Sequence, residues 1–266
     1  MAGVGDLFTS QQQNYRQTLK SASGGKRRNI MYVETMTEEQ LMAEYIKDFD
    51  YVCQKLYYLY KKMQRAALKK NVFPWKHTFD GTTPRGNRYF TIIQFKNRRQ
   101  VKRLFAANVS IITQMVTSKG TAYIEGEGMA VNAPMTKLYV YTPHLIERYK
   151  SRCGLKEGYA DIVKQFFDRT QSFAARMVED DTHGHRYEAV AIIDDGMLLG
   201  TSDDAKVVVW RTFMNDAMLN NGQKDKITRD AEELLAKYDE MKAQQKQHII
   251  ETTAELRLCQ QLGMKL

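Results

Sequence analysis

Residues 137–154 read Lys-Leu-Tyr-Val-Tyr-Thr-Pro-His-Leu-Ile-Glu-Arg-Tyr-Lys-Ser-Arg-Cys-Gly. The first five, all apolar or aromatic after Lys137, form a strand pattern. Thr142 and Pro143 then supply an N-cap and a proline at the first helical position, where its missing N–H costs nothing. A short helix follows to Cys153, and Gly154 is suited to end it. His144, Arg148 and Arg152 recur at four-residue intervals and fall close to one face, because four residues exceed a turn by only ~0.4 residue. Leu145, Tyr149 and Cys153 lie on a neighbouring face and would seat the helix on a sheet.

Working outward, 156–177 reads as a second helix with Tyr159, Ile162, Val163, Phe166, Phe167 and Phe173 on one side. Three short strands follow at 187–193, 197–202 and 207–213. The turns between them are Asp194-Asp195-Gly196 and Asp203-Asp204. Upstream, 89–95 is a strand, with two more near 107–117 and 121–125, and 79–88 reads as a loop from its Gly, Thr and Pro content. Thr37-Glu38-Glu39-Gln40 has the form of a capping box and starts a long amphipathic helix over 37–70. Residues 1–36 read as a flexible basic and polar arm, and 226–262 as a long charged C-terminal helix. The expectation is an α+β fold: an antiparallel or mixed sheet in a core at 72–222, packed against two helices, with long N- and C-terminal helices.

The chain has 266 residues, a net charge of +9 and a hydrophobic fraction of 43%. A surplus of Lys and Arg favours polyanionic partners, nucleic acid above all. The apolar runs at 104–112 and 207–210 are far shorter than the ~20 residues of a membrane helix, and the first residues hold no apolar segment of signal-peptide type. Cys53, Cys153 and Cys259 form no paired motif. These features predict a cytoplasmic protein that needs no disulfide, membrane or cofactor.

The chemistry-bearing residues are His144 with Arg148 and Arg152, joined by Arg211 at the end of the last strand. Guanidinium groups match phosphate oxygens bidentately, and an imidazole beside them is a natural proton carrier. The competing reading pairs Arg148 and Arg152 with Glu147 or Glu157 and hydrogen-bonds His144 to a carbonyl. Lys96, Arg98, Arg99, Lys102 and Arg103 form the densest basic run, beside Tyr89, Phe90 and Phe95. It could track a phosphate backbone, or the rings could be core and the charges a solvated face. His183-Gly184-His185, preceded by Asp180 and Asp181, reads as a turn rather than a metal site. Arginines near Cys153 would lower its pKa, yet it reads as a packing residue. Tyr51, Tyr57, Tyr58 and Tyr60 exceed what one buried helix face absorbs, which points to a protein contact.

The order of strand, His/Arg helix, amphipathic helix and three strands resembles the RelE/BrnT-type toxin ribonucleases. The residues that carry this are those of 142–152, together with Val207-Val208-Val209-Trp210-Arg211-Thr212 and Arg186 ahead of the three strands. The resemblance covers about 137–213. It implies a metal-independent endoribonuclease, with His144 as base or acid, Arg148, Arg152 and Arg211 as phosphate clamps, and Arg186 or Tyr149 in support. RNA is then favoured over DNA. The extra N-terminal region and C-terminal helix depart from those compact toxins. They keep open a second reading, a non-enzymatic binding or structural component of a nucleoprotein or phage-like assembly, associating with itself or a protein partner through its terminal helices.

Overall fold

A computed structural model describes residues 32–102, 107–127, 137–170, 174–180 and 186–218, with isolated positions 222 and 229. The described chain is organised by one nine-stranded mixed sheet. Helix α1 (Glu38–Leu68) precedes β1 (Trp75–Thr82) and β2 (Arg88–Phe95). A one-turn helix α2 (Arg98–Val101) leads to β3 (Asn108–Thr117), β4 (Gly120–Gly126) and β5 (Leu138–Tyr141). Helices α3 (Pro143–Arg152) and α4 (Tyr159–Arg169) follow, then β6 (Ala174–Asp180), β7 (Arg186–Ile193), β8 (Gly196–Ser202) and β9 (Val207–Asn215).

The strand order is β1-β2-β3-β4-β5-β9-β8-β7-β6. Every neighbouring pair is antiparallel except β5 and β9, which run parallel with Tyr141 beside Trp210. Two antiparallel meanders are thus fused along one parallel seam.

The two faces of the sheet carry different layers. α1 lies on one face. Its Val52, Leu56, Tyr60 and Met63 pack on Tyr89, Ile93 and Phe95, and nearer its start Leu41 and Tyr45 pack on Ile124, Leu138 and Val140. α3 and α4 cover the other face through Leu145, Ile146, Tyr149, Ile162, Phe166 and Phe167, which meet Phe90, Tyr141 and Phe213. β2 shows the alternation directly, with Tyr89, Ile93 and Phe95 toward α1 and Phe90 and Ile92 toward α4. That period of two is what a strand buried on both faces requires. On the α4 side the rings meet edge to face, with Tyr141–Phe167 centroids 4.8 Å apart and Tyr149–Phe166 and Tyr149–Phe213 both 5.1 Å. Such pairs contribute about 0.5–1.5 kcal/mol each beyond area burial.

The fold class expected from the sequence is corrected here. One broad mixed sheet of nine strands, with few helices laid on it, replaces the antiparallel or mixed sheet packed against two helices between long terminal helices. The helix that opens after Thr37 is a layer of the core rather than a flanking extension. Of the arm expected over 1–36, residues 1–31 lie outside the described residues, but 32–36 lie on the sheet, with Tyr32 buried and Val33 bridged to Val116. The helix expected over 226–262 lies outside the described residues, apart from the isolated Arg229.

Two strands depart from the pattern expected of their sequence. β1 occupies part of the expected loop at 79–88, paired along its whole length from Trp75↔Phe95 to Thr82↔Arg88. The true turn is 83–87, closed by Thr83 N–H donating to the Asn87 carbonyl at 2.9 Å. β6 takes the place of the last turns of the helix expected over 156–177. α4 stops at Arg169, and Ala174 to Asp180 pair with Ile192 to Arg186. Strand pairing to a distant partner outweighs a local helix preference worth only tenths of a kcal/mol per residue.

Local signals govern the element ends. Thr37 Oγ1 accepts from Gln40 N–H at 3.2 Å while Gln40 Oε1 accepts from Thr37 N–H at 3.0 Å, a complete capping box. Thr142 caps α3 by accepting from Leu145 N–H at 3.3 Å. At the other end Gly154 (φ 64°) lets Leu155 N–H reach the Lys150 carbonyl at 3.0 Å and its own N–H reach Ser151 at 3.3 Å, a Schellman closure.

A buried polar lock ties the entry of α1 to the β1–β2 turn. Asp48 Oδ2 accepts from the Tyr32 hydroxyl at 2.8 Å and from Asn87 Nδ2 at 2.6 Å, and Tyr32 N–H donates to Asn87 Oδ1 at 3.2 Å.

The β8–β9 pairing contains a bulge: Leu199 faces Thr212, the next residue Gly200 faces Trp210, and Arg211 is the extra residue. A Cβ on Gly200 would lie 2.5 Å from the Val209 carbonyl oxygen and 2.9 Å from Trp210 Cε3. Gly200→Ala is therefore expected to lower stability by about 1–3 kcal/mol, the usual cost of overpacking, read as a lower urea midpoint.

Candidate functional site

The parallel seam sets the position of the His/Arg helix. β5 ends at Tyr141 beside Trp210, and Thr142 is held to β9 by its N–H and its hydroxyl, both donating to the Trp210 carbonyl at 3.1 Å. The first turn of α3 therefore starts beside Arg211, which the bulge displaces from regular pairing. Bulges commonly re-aim a side chain in this way. Arg211 is exposed, and its Nε donates to Thr201 Oγ1 at 3.1 Å.

His144 and Arg148 are both exposed on α3, and Arg148 Nε donates to His144 Nε2 at 3.2 Å. A guanidinium can only donate, so in this contact His144 Nε2 is the acceptor. Neither Glu147 nor Glu157 captures Arg148. Glu157 Oε2 instead accepts from the Lys156 N–H at 3.0 Å.

Arg152 does not join them. Each four-residue step turns about 40° further round the helix, and two steps accumulate about 80°. That rotation carries Arg152 toward β9, where it is half-buried and its guanidinium donates to the Phe213 carbonyl. Asn215 Nδ2 donates back to the Arg152 carbonyl at 2.9 Å. Arg152 thus fastens the end of α3 to the end of β9.

Tyr149 is fully buried, and its hydroxyl donates to Asp195 Oδ2 at 2.7 Å, where Asp195 also pairs with Arg169. It belongs to the packing under α3 and not to the exposed His144 face. At Cys153, burial and the neighbouring Asp195 push the thiol up despite Arg169, the reverse of the effect expected from nearby arginines. Arg186 opens β7 opposite Asp180. Its side chain, Arg103 and the His183–His185 turn lie outside the described residues.

The basic run forms a second place of interest. Lys96, Arg98, Arg99 and Lys102 are all exposed around α2. Asn97 caps this turn, accepting from Gln100 N–H at 3.0 Å, and only Val101 is buried. Gln64 Nε2 donates to the Val101 carbonyl at 2.7 Å and Arg98 donates to Asn71 Oδ1 at 3.2 Å, so α2 is fixed against the end of α1. Exposed Arg65, Lys69 and Lys70 are thereby brought to the same corner as Arg98, Arg99 and Lys102. No Asp or Glu is ion-paired with these six among the described residues. The signal in the sequence was the lack of acids: from Tyr51 to Ile124 the chain has fifteen Lys or Arg and one acid, Asp80.

One carboxyl near the seam was missed by sequence reasoning. Glu125 on β4 accepts from the Tyr141 hydroxyl at 3.2 Å, one residue before the α3 cap. Burial pushes its carboxyl up to about 7 against the opposing hydrogen bonds from Ser110 and Tyr141. A lone Glu in a strand has no spacing pattern, so only pairing reveals its surroundings.

Comparison of the chain with models of protein families, with curated proteins and with solved structures finds no match.

Two outcomes are expected. Arg152→Ala should lose about 1–2 kcal/mol of stability by leaving the Phe213 carbonyl without its charged donor, whereas exposed Arg148→Ala should stay within about 0.5 kcal/mol; denaturant titration separates them. Glu125 keeps its proton to about pH 7 when folded, against 4.5 for the free group. Its stabilising contribution is therefore complete below pH 4.5 and lost as pH rises through 7. Relative to Glu125→Gln, the wild type should lose roughly 1–3 kcal/mol across that interval, measured by denaturation at a series of pH values.

Proposed function

We propose that this protein binds nucleic acid and that its reactive group, at the start of α3, acts on an RNA phosphodiester without a metal ion. The observation that carries the reading is the acid-poor stretch from Tyr51 to Ile124, six of whose cations, Arg65, Lys69, Lys70, Arg98, Arg99 and Lys102, gather at the α1–α2 corner with no carboxylate ion-paired to them among the described residues. A surface of this kind gains affinity by releasing counterions from a phosphate backbone.

The RelE/BrnT-type ribonucleases supply the template for the chemistry. His144 takes the proton of a ribose 2′-hydroxyl, and that oxygen attacks the adjacent phosphorus. Arg148 and Arg211 hold the charge that builds on the phosphoryl oxygens. The bond from phosphorus to the 5′-oxygen breaks, that oxygen receives a proton from the imidazolium, and a 2′,3′-cyclic phosphate is left. Arg148 must leave His144 Nε2 and turn to the phosphate for the base to be available. Arg152 takes no part in this version, because its guanidinium holds β9.

A second reading, a binding component of a nucleoprotein or phage-like assembly with no activity of its own, draws on one observation. The His144 lone pair is already occupied by Arg148 at 3.2 Å.

Labelled single-stranded RNA, incubated with and without EDTA, separates the two. Cleavage that survives EDTA and disappears in His144→Ala, with the thermal midpoint unchanged, is the expected result. Equal cleavage by wild type and His144→Ala removes the catalytic assignment, and salt-sensitive binding without cleavage selects the second reading. Replacing Arg99 and Lys102 together by Glu should weaken binding and reduce the log–log salt slope by about 1 per lost phosphate contact.

A further inference from the structure

The β1 edge of the sheet carries a row of rings that the His144 chemistry does not use. Alternation places Trp75, His77 and Phe79 on the α1 side of the strand. Trp75 and His77 stack with centroids 6.2 Å apart and an interplanar angle of 9°, and His77 meets Phe79 edge-on at 4.6 Å. Trp75 and Phe79 are half-buried against the α1-side core, while His77 is exposed. On the opposite side of β1, Lys76 and Asp80 pair with Asp168 and Lys164 of α4, so that side is closed.

The row continues past Phe79. A Cβ on Gly81 would lie 2.5 Å from Tyr89 Cζ, so the buried Tyr89 ring covers this position and closes the row at that end. Beside Tyr89 stand Tyr51 and Lys55 of α1, with Lys55 Nζ 4.7 Å from the Tyr51 ring centroid. From Lys55 the exposed positions Lys62, Arg65 and Lys69 follow at helical spacing, all within about 80° of one another around the helix. Tyr58, 74% exposed, lies on the same stripe. α1 thus carries a line of cations from Lys55, beside Tyr89, to Lys69, two residues before the Asn71 that holds Arg98, while the ring row ends at Trp75, which packs on Phe95 just before Lys96.

Partly exposed rings, His77 the most open of them, beside a line of Lys and Arg suit one kind of ligand. A duplex offers phosphates but hides the faces of its bases; an unpaired strand offers both. Stacking on aromatic side chains is tolerant of sequence, because every base has a π face. The charge pattern agrees, since Asp80, the one acid between Tyr51 and Ile124, is turned to α4.

We propose that the groove between the α1 cation stripe and the Trp75–His77–Phe79 row binds a single-stranded nucleic acid, its backbone along α1 and its bases on the rings. This rests on the nucleic-acid reading above and adds the form of the strand and the place where it lies.

Tryptophan fluorescence tests it in the full-length protein. Trp210 is fully buried, so quenching by a ligand reports on Trp75. The probes are an oligouridylate of about 12 nucleotides and a duplex RNA of the same length. The oligouridylate should quench and bind at least about tenfold tighter than the duplex. His77→Ala should lose roughly tenfold in affinity for it, the scale of one lost stacking contact. His77→Phe, which keeps a stacking face, should retain wild-type affinity, and both variants should keep the wild-type thermal midpoint. Arg65→Ala with Lys69→Ala should reduce the salt slope. Equal affinity for single strand and duplex overturns the groove, as does His77→Ala binding like wild type; either result leaves nucleic-acid binding through the α2 corner standing. Failure of both probes to bind at low salt overturns the groove and the nucleic-acid reading together.

Discussion

The parallel pairing of β5 with β9, Tyr141 beside Trp210, is the constraint on which the other elements depend. Parallel neighbours cannot be joined by a tight turn and need a long crossover. Here the crossover contains α3, α4 and the three strands β6 to β8, which return to the sheet as an antiparallel meander ending in β9. The second meander is therefore hung on the first through four residue pairs, from Leu138↔Val207 to Tyr141↔Trp210. The same seam directs α3 across the sheet with its first turn beside Arg211, and the helix then secures the seam through Thr142 at one end and Arg152 at the other.

The two faces of the sheet have been put to different uses. The α3–α4 face is packed with interlocking rings and closed at the β1 edge by Lys76–Asp168 and Lys164–Asp80. The α1 face is sealed along the helix centre, but toward β1 it changes from apolar contact to cations and half-exposed rings. Charge segregation of this kind is costly for a surface without a ligand, because like charges repel, and it steers polyanions toward the cationic side. The His144 corner and the α2 corner belong to different elements, one at the seam and one near the β1 edge. His144 and Arg148 are both exposed and in contact, and the bulge leaves Arg211 beside the cap of α3.

What was legible in advance depended on the range of the interaction. The capping box at Thr37–Gln40, the Thr142 cap and the Gly154 closure are each set within a few residues, and pattern alone revealed them. The short apolar runs at β5, β7, β8 and β9 stood out because turn residues bound them. β1 did not, since Gly81 and the threonines look like a loop until Tyr89 covers the glycine and β2 supplies partners. β6 did not either, since Ala174-Ala175-Arg176-Met177 continues a helical pattern and becomes a strand only opposite β7. At the candidate site, the four-residue spacing correctly joined His144 to Arg148 but overran at Arg152, where helical drift met a free carbonyl on β9. The basic run was visible, yet its meeting with the end of α1 required the Gln64–Val101 and Arg98–Asn71 contacts.

The sequence by itself determined where α1 and α3 begin, where α3 stops, and the net charge that favours a polyanion. Cap geometry, turn chemistry and net charge need no distant partner. Only the tertiary structure decided that the strands form a single sheet of nine, that Arg152 is a fastener rather than a clamp, and that the rings of β1 lie beside the cations of α1. Each of these follows from contacts between segments far apart in the chain, whose closure entropy is offset only when the whole sheet is assembled.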